Sequence, residues 1–162
     1  MTLALRVAAP PDDAARLDIV IRGLGDATTM TTAPVPHRQP PTGARAQRLA
    51  RALPMVALLV DADGGAGAFA ALCDDHAAFA DDDDDLTAEA LALGDWLAAR
   101  ALPIRYLDEI LAYECAVLDV LDGGPGQVVR FTHDPLPLLR ALARRAIPIA
   151  ARVGRFEVEI AA

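Results

Sequence analysis

The spacing of apolar positions divides the chain into two regimes. Up to about residue 122 they recur every three or four residues, as on helices; beyond residue 126 strand-like alternation appears. Asp12 precedes Leu17, Val20, Ile21 and Leu24, which predicts a short amphipathic helix ending near Gly23–Gly25. Residues 26–42 (DATTMTTAPVPHRQPPT) are rich in Thr and Pro and poor in apolar content, the pattern of an extended or mobile loop. After Thr42, the residues Ala44, Ala46, Leu49, Ala52 and Leu53 form a helical stripe, and Pro54 kinks it or starts a new turn. Met55 to Val60 stay apolar until DADGGAG (61–67) breaks the segment.

A third helix is predicted from about Ala66 to Ala80, with Phe69, Leu72, Cys73, His76 and Phe79 at helical spacing. A fourth runs over 86–100 with Leu91, Leu93, Trp96 and Leu97. The fifth and longest starts at Pro103, places Leu107, Ile110, Leu111, Glu114, Leu118 and Leu121 on one face, and closes at Gly123-Gly124. Then QVVRFT (127–132) reads as a strand. Asp134-Pro135 is a cap followed by proline at the first helical position, which predicts a helix over 136–146 with Leu139 and Leu142 inward. Phe156, Val158 and Ile160 alternate with Arg155, Glu157 and Glu159, a half-buried strand. The expected fold class is α+β. A mostly helical body (1–122) is followed by a strand–helix–strand segment (123–162) that forms a small antiparallel sheet.

Composition narrows the chemistry. The 162 residues include no Ser, no Asn and no Lys, which removes serine nucleophiles, a Walker lysine and Schiff-base chemistry. Residues 1–122 carry 9 Arg against 20 Asp and Glu, a balance of −11; residues 123–162 carry 6 Arg against 3, a balance of +3. An acidic body opposes nucleic-acid binding, which draws on phosphate neutralisation. The basic C-terminal stretch suits a carboxylate-rich partner instead. Two cysteines are too few for a disulfide framework, the N-terminus lacks a signal-like apolar region, and no apolar run could span a bilayer. A soluble, cytoplasmic protein with no membrane or nucleic-acid partner is expected.

Each candidate site competes with a structural role. Cys73 and His76 (CDDH), with Cys115 and His133 elsewhere, supply the ligand types of a zinc site, but the spacing fits no finger or ribbon. Both also lie on the apolar stripe of their helix, where buried cysteine and histidine are common. Asp81 to Asp85 and Asp61-Ala-Asp63-Gly64 lack the spacing and distal Glu of a calcium loop and read as helix-flanking turns. Gly123-Gly-Pro-Gly126 leads into a strand, the wrong order for a phosphate loop. Glu109 and Glu114 are five apart and share no face, so they make no general-acid pair. Glu114 falls on the apolar stripe, where a carboxylate should find an arginine or lie at the stripe's edge.

The order ALPMVALLV, AFAALCDDHAAF, LGDWLAA and YLDEILAYECAVLDVL, followed by FTHDPLPLLRAL, resembles the partner proteins of multinuclear non-heme iron oxidative enzymes. Those enzymes modify ribosomally made peptides, including methanobactin and thiaglutamate-type products. Asp108, Glu109, Ile110 and Leu111 with Glu114 stand where that family has its acidic fifth-helix motif, and the resemblance covers about two thirds of the chain. The Thr- and Pro-rich stretch 26–42 departs from the pattern. The resemblance implies a non-catalytic subunit that holds no cofactor itself, forms a heterodimer with an iron-containing enzyme, and helps present a precursor peptide's leader.

Sequence chemistry supplies a way to do so. A sheet edge can accept an extended peptide as an added strand. The expected peptide-binding residues are Val129, Arg130, Phe131, Arg152, Arg155 and Phe156, with the arginines pairing to an acidic leader. The same arginines could instead simply solubilise the sheet's outer face. The enzyme contact is expected on the fifth helix and its flanks, at Tyr106, Glu109, Tyr113, His133 and Asp134. Two other classes stay open: a small metal- or ligand-binding protein using Cys73 and His76, and a transcription-associated interaction module.

Overall fold

The computed structural model describes residues 4–8, 42–78 and 85–161, the first five as backbone. The elements follow in the order β1 (Ala4–Ala8), α1 (Thr42–Ala52), α2 (Pro54–Gly64), α3 (Ala68–Ala77), α4 (Leu86–Arg100), α5 (Leu107–Leu121), β2 (Gln127–His133), α6 (Pro135–Ala143) and β3 (Val153–Ala161). The fold is α+β, mostly helical with a small antiparallel sheet, as the hydrophobic pattern predicts. The expected helix after Asp12 and the loop at 26–42 lie outside the described residues, apart from Thr42, which opens α1.

The sheet order is β1-β3-β2, so the last strand of the chain is the middle strand of the sheet. The segment 123–162 supplies two of the strands. The third comes from the N-terminal region, a correction to a sheet built from the C-terminal segment alone. ALRVA has only two large apolar positions, too few for a visible period. Its strand state comes from pairing, with Leu5 opposite Ile160 and Val7 opposite Val158.

α5 is the common support. It packs on α2 and α4 at one side and on β2 and β3 at the other. Leu107, Ile110, Leu111, Tyr113, Ala116 and Val120 are buried along it. The sheet's inner face meets it with Phe131 and Val129 from β2 and Phe156, Val158 and Ile160 from β3, in one continuous core with the helices. The expected stripe ran on to Leu121, but that side chain is 43% exposed because the helix stops there. Gly123 turns the chain with φ 98°, a conformation that costs glycine least. α4 comes close to α5 at Gly94, where a Cβ would run into Cys115 Sγ.

The break at Pro54 exposes a problem that α5 solves. α2 begins one residue after α1 ends, and Leu53, at its N-cap, has no side chain able to accept a hydrogen bond. Glu114 takes that role from across the core. Its Oε1 accepts from Met55 N–H and its Oε2 from Val56 N–H, both at 2.9 Å. Glu114 is only 6% exposed, and the expectation of an arginine partner or a stripe-edge position is corrected: its partners are two backbone donors at a helix N-terminus.

Burial raises the Glu114 carboxyl from its ordinary 4.5 to about 7, against the opposing pull of the two N–H donors. Between those values the folded chain holds a proton that the unfolded chain releases. This group's contribution to stability is therefore fully present below about pH 4.5 and is lost as pH rises towards 7, by roughly 3 kcal/mol in all. Urea unfolding at pH 5 and pH 8 should show that slope, and Glu114→Gln should flatten it. Glu114→Ala should also remove the slope, lowering stability by about 2–4 kcal/mol at pH 5, where it leaves a cavity and two unsatisfied donors, and by clearly less at pH 8.

Candidate functional site at the corner of α5 and β2

Short polar side chains bind the first turn of α5 to the end of β2. Tyr106 precedes the helix in a left-handed conformation, φ 66°, uncommon for a residue with a Cβ. That turn aims its ring at the sheet, where it meets the His133 ring edge-on at 4.9 Å between centroids. The Arg105 guanidinium lies over the other ring system's neighbour, Tyr106, at 4.7 Å from the ring centroid. One helical turn on, Glu109 reaches β2. Its Oε1 accepts from the Thr132 backbone N–H at 3.2 Å and from the Thr132 hydroxyl.

The same Oε1 lies 2.8 Å from His133 Nδ1. A carboxylate oxygen accepts, so in this contact Nδ1 is the donor and the Nε2 edge of the ring points away from Glu109. His133 is 23% exposed at its side chain and Glu109 12%. Two polar atoms of the cluster, the Tyr106 hydroxyl and Glu109 Oε2, are buried without a hydrogen-bond partner among the described residues. Strain at Tyr106 and these two unpaired atoms mark the corner as more than a packing contact.

The α6–β3 connection closes round the same corner. Asp134 caps α6 by accepting from Leu136 N–H at 3.1 Å, and its own N–H donates to the Arg152 carbonyl at 2.8 Å. Arg105 donates to the Ile149 carbonyl. His133 sits opposite Val153 in the β2–β3 register, past an irregularity that follows Phe131.

The expected interface residues Tyr106, Glu109, His133 and Asp134 are thus brought together, but Tyr106 is itself buried, at 5% exposed, and offers little surface to a partner. Tyr113 is not at the surface: it is 5% exposed and packs on Phe131 with centroids 6.2 Å apart. The expected peptide-binding set divides by face. Val129, Phe131 and Phe156 are buried in the core, so their side chains cannot meet a peptide, a correction that follows from the pleat. Arg130 and Arg155 lie on the outer face, where Arg130 is 3.5 Å from Glu157. Arg152 is exposed at the mouth of β3.

Sequence reading missed Thr132, Ile149 and the buried pair of Arg45 and Glu89. Glu89 is the fourth helix's counterpart of Glu114, in step with Leu93 and Leu97, and that spacing was the available signal. Arg45 pairs with it across α1 and α4, and Arg48 lies 3.8 Å away. Near them Cys73 is fully buried and His76 is 4% exposed. Burial pushes the Cys73 thiol up to about 12. Burial, aided by the Arg45 charge, lowers His76. Among the described residues no three His, Cys, Asp or Glu converge on a point that could hold a metal ion.

Asp85 flanks a helix as expected, accepting from Thr87 N–H at 2.8 Å at the start of α4. Asp61 to Gly64 are not the expected turn but the end of α2, from which Asp61 accepts from Phe69 N–H at 2.9 Å. Asp81 to Asp84 lie outside the described residues. No single helix among the described residues is long and apolar enough to cross a membrane. No family model, curated protein or solved structure matches the chain.

Glu109 is the residue on which the corner turns. Glu109→Ala should free the Thr132 amide, and hydrogen exchange followed by NMR should show that amide exchanging about 10-fold faster or more. Amides of Val129 and Phe131, bonded within the sheet, should change far less.

Proposed function

We propose that this chain is a non-catalytic partner subunit that binds an iron-containing oxidative enzyme and receives the leader of a ribosomally made precursor peptide as an added β-strand. Iron belongs to the partner enzyme in this reading, and the chain itself acts through surface and sheet edge.

The observation that carries the reading is the strand order. β3 is central, and its residues 157–160 already pair on both sides, so the stretch Arg152 to Val158 is closed to a further strand at its last two positions. β2 is terminal and pairs with β3 alone among the described residues. Thr132 N–H turns away from β3 to Glu109, and two-residue alternation puts the N–H and C=O of Val128 and Arg130 on that same outward edge. Val128 is 59% exposed and Arg130 87% at its side chain, so both are accessible beside an incoming strand. An extended peptide would satisfy the edge with backbone bonds, and Arg130 would favour acidic side chains once drawn from Glu157.

Val128→Pro is the sharpest test, because proline is tolerated on an edge whose N–H faces out and removes one donor that the peptide needs. Circular dichroism should be unchanged, while fluorescence anisotropy with a labelled leader peptide should show affinity falling about 10-fold or more. Equal affinity in the proline variant would move the peptide away from this edge. For the enzyme contact, co-expression with an iron oxidase encoded beside this gene should give one gel-filtration peak containing both chains. Two separate peaks at micromolar concentration would overturn the subunit reading.

A further inference from the structure

The connection between α6 and β3 presents apolar side chains that the fold does not use. Ile149 is 92% exposed, Val153 75% and Ile147 38%. Single exposed aliphatic residues are ordinary; here three fall within seven positions, two on the connection and the third opening β3. The connection is also held at both ends. Arg105 grips the Ile149 carbonyl, and the Asp134 N–H grips that of Arg152. Arg105 lies over Tyr106, Tyr106 abuts His133, and His133 is registered opposite Val153, so a circuit of contacts fixes Ile149 and Val153 relative to one another. The Ile149 backbone is therefore tethered at its carbonyl while its side chain stands exposed, which lowers the backbone-ordering cost of a contact made there.

Within the connection itself the charged residues are all arginine. Arg144 and Arg145 end α6, both exposed, and neither makes an ion pair with a described residue. Arg145 sits in the left-handed position that closes the helix, φ 58°, with its N–H donating to the Leu142 carbonyl and Ala146 N–H to that of Ala141. Glycine fills that position at least cost, so an arginine there is kept against its backbone preference. The net charge of −8 opposes a second copy of the chain and an anionic bilayer alike as occupants.

We propose that this pinned connection, with Ile149 as its apolar anchor and Arg144 and Arg145 as its charged rim, docks an acidic surface with an apolar recess on the partner enzyme. The proposal rests on the partner-subunit reading and adds to it the location and chemistry of the enzyme contact, away from the β2 edge.

The co-expressed complex and the separately titrated chains provide the test. Ile149→Asp should weaken the complex about 100-fold and Arg144→Glu with Arg145→Glu about 10-fold or more, read by calorimetry, with the wild-type affinity falling as salt is raised. Arg144→Lys with Arg145→Lys should hold the enzyme nearly as well as the wild type. Leader binding by anisotropy and the circular dichroism spectrum should stay unchanged in all these variants, which separates a lost contact from a lost fold. Wild-type affinity in Ile149→Asp and in the double Glu variant would overturn the docking proposal and leave the subunit reading intact. Failure of the wild-type chain itself to bind the enzyme would overturn both. Binding of the wild type to itself by light scattering, or to phosphatidylserine vesicles by flotation, lost in Ile149→Asp, would assign the patch to another occupant and overturn it too.

Discussion

The start of α2 depends on a carboxylate 59 residues away in sequence. Two N–H groups at the N-terminus of α2 face the interior, and Glu114 on α5 accepts from both. Buried backbone donors must be paired, so α1, α2 and α5 are fixed in mutual position by that contact together with their apolar faces. α5 then has one rotational setting. In that setting its opposite flank carries Tyr106 and Glu109 to the end of β2, and the corner follows.

The missing residue types shape how this is done. Serine and asparagine are frequent helix caps and local hydrogen-bond formers, and this chain has neither. Asp85 and Asp134 cap α4 and α6 locally. Asp61 serves α3, Glu114 serves α2 and Glu109 serves the end of β2, each from another part of the chain. Part of the acidic excess is therefore structural. It is spent on backbone donors, where a negative charge is favourable, and is not free for cation binding.

On the partner-subunit proposal the corner separates two surfaces by chemistry. The β2 edge offers backbone donors and acceptors, which suit an extended chain of tolerant sequence. The α6–β3 connection offers exposed aliphatic side chains beside Arg144 and Arg145, which make no ion pair with a described residue, and these suit a shaped protein surface. Glu109 and His133 lie between them, tied to β2 by one oxygen and to the Tyr106 stack by one ring. A peptide and an enzyme could then be engaged together without competing for the same atoms.

The sequence by itself determined the helices and the two C-terminal strands, because their periods are long and their caps are local. The Leu86–Arg100 helix, the Asp134-Pro135 start and the Phe156–Ile160 alternation all state their own structure. It also showed that Glu114 was a problem to be solved. Only the tertiary structure decided who solves it. A helix N-terminus without a capping side chain says nothing about which distant carboxylate will reach it, and ALRVA becomes a strand only by pairing with β3. The same holds for Val129, Phe131 and Phe156: alternation shows that one face is buried, but the packing of α5 decides which side chains a visitor can touch. Edge and centre are properties of strand order, set by long-range pairing, and no local spacing records them.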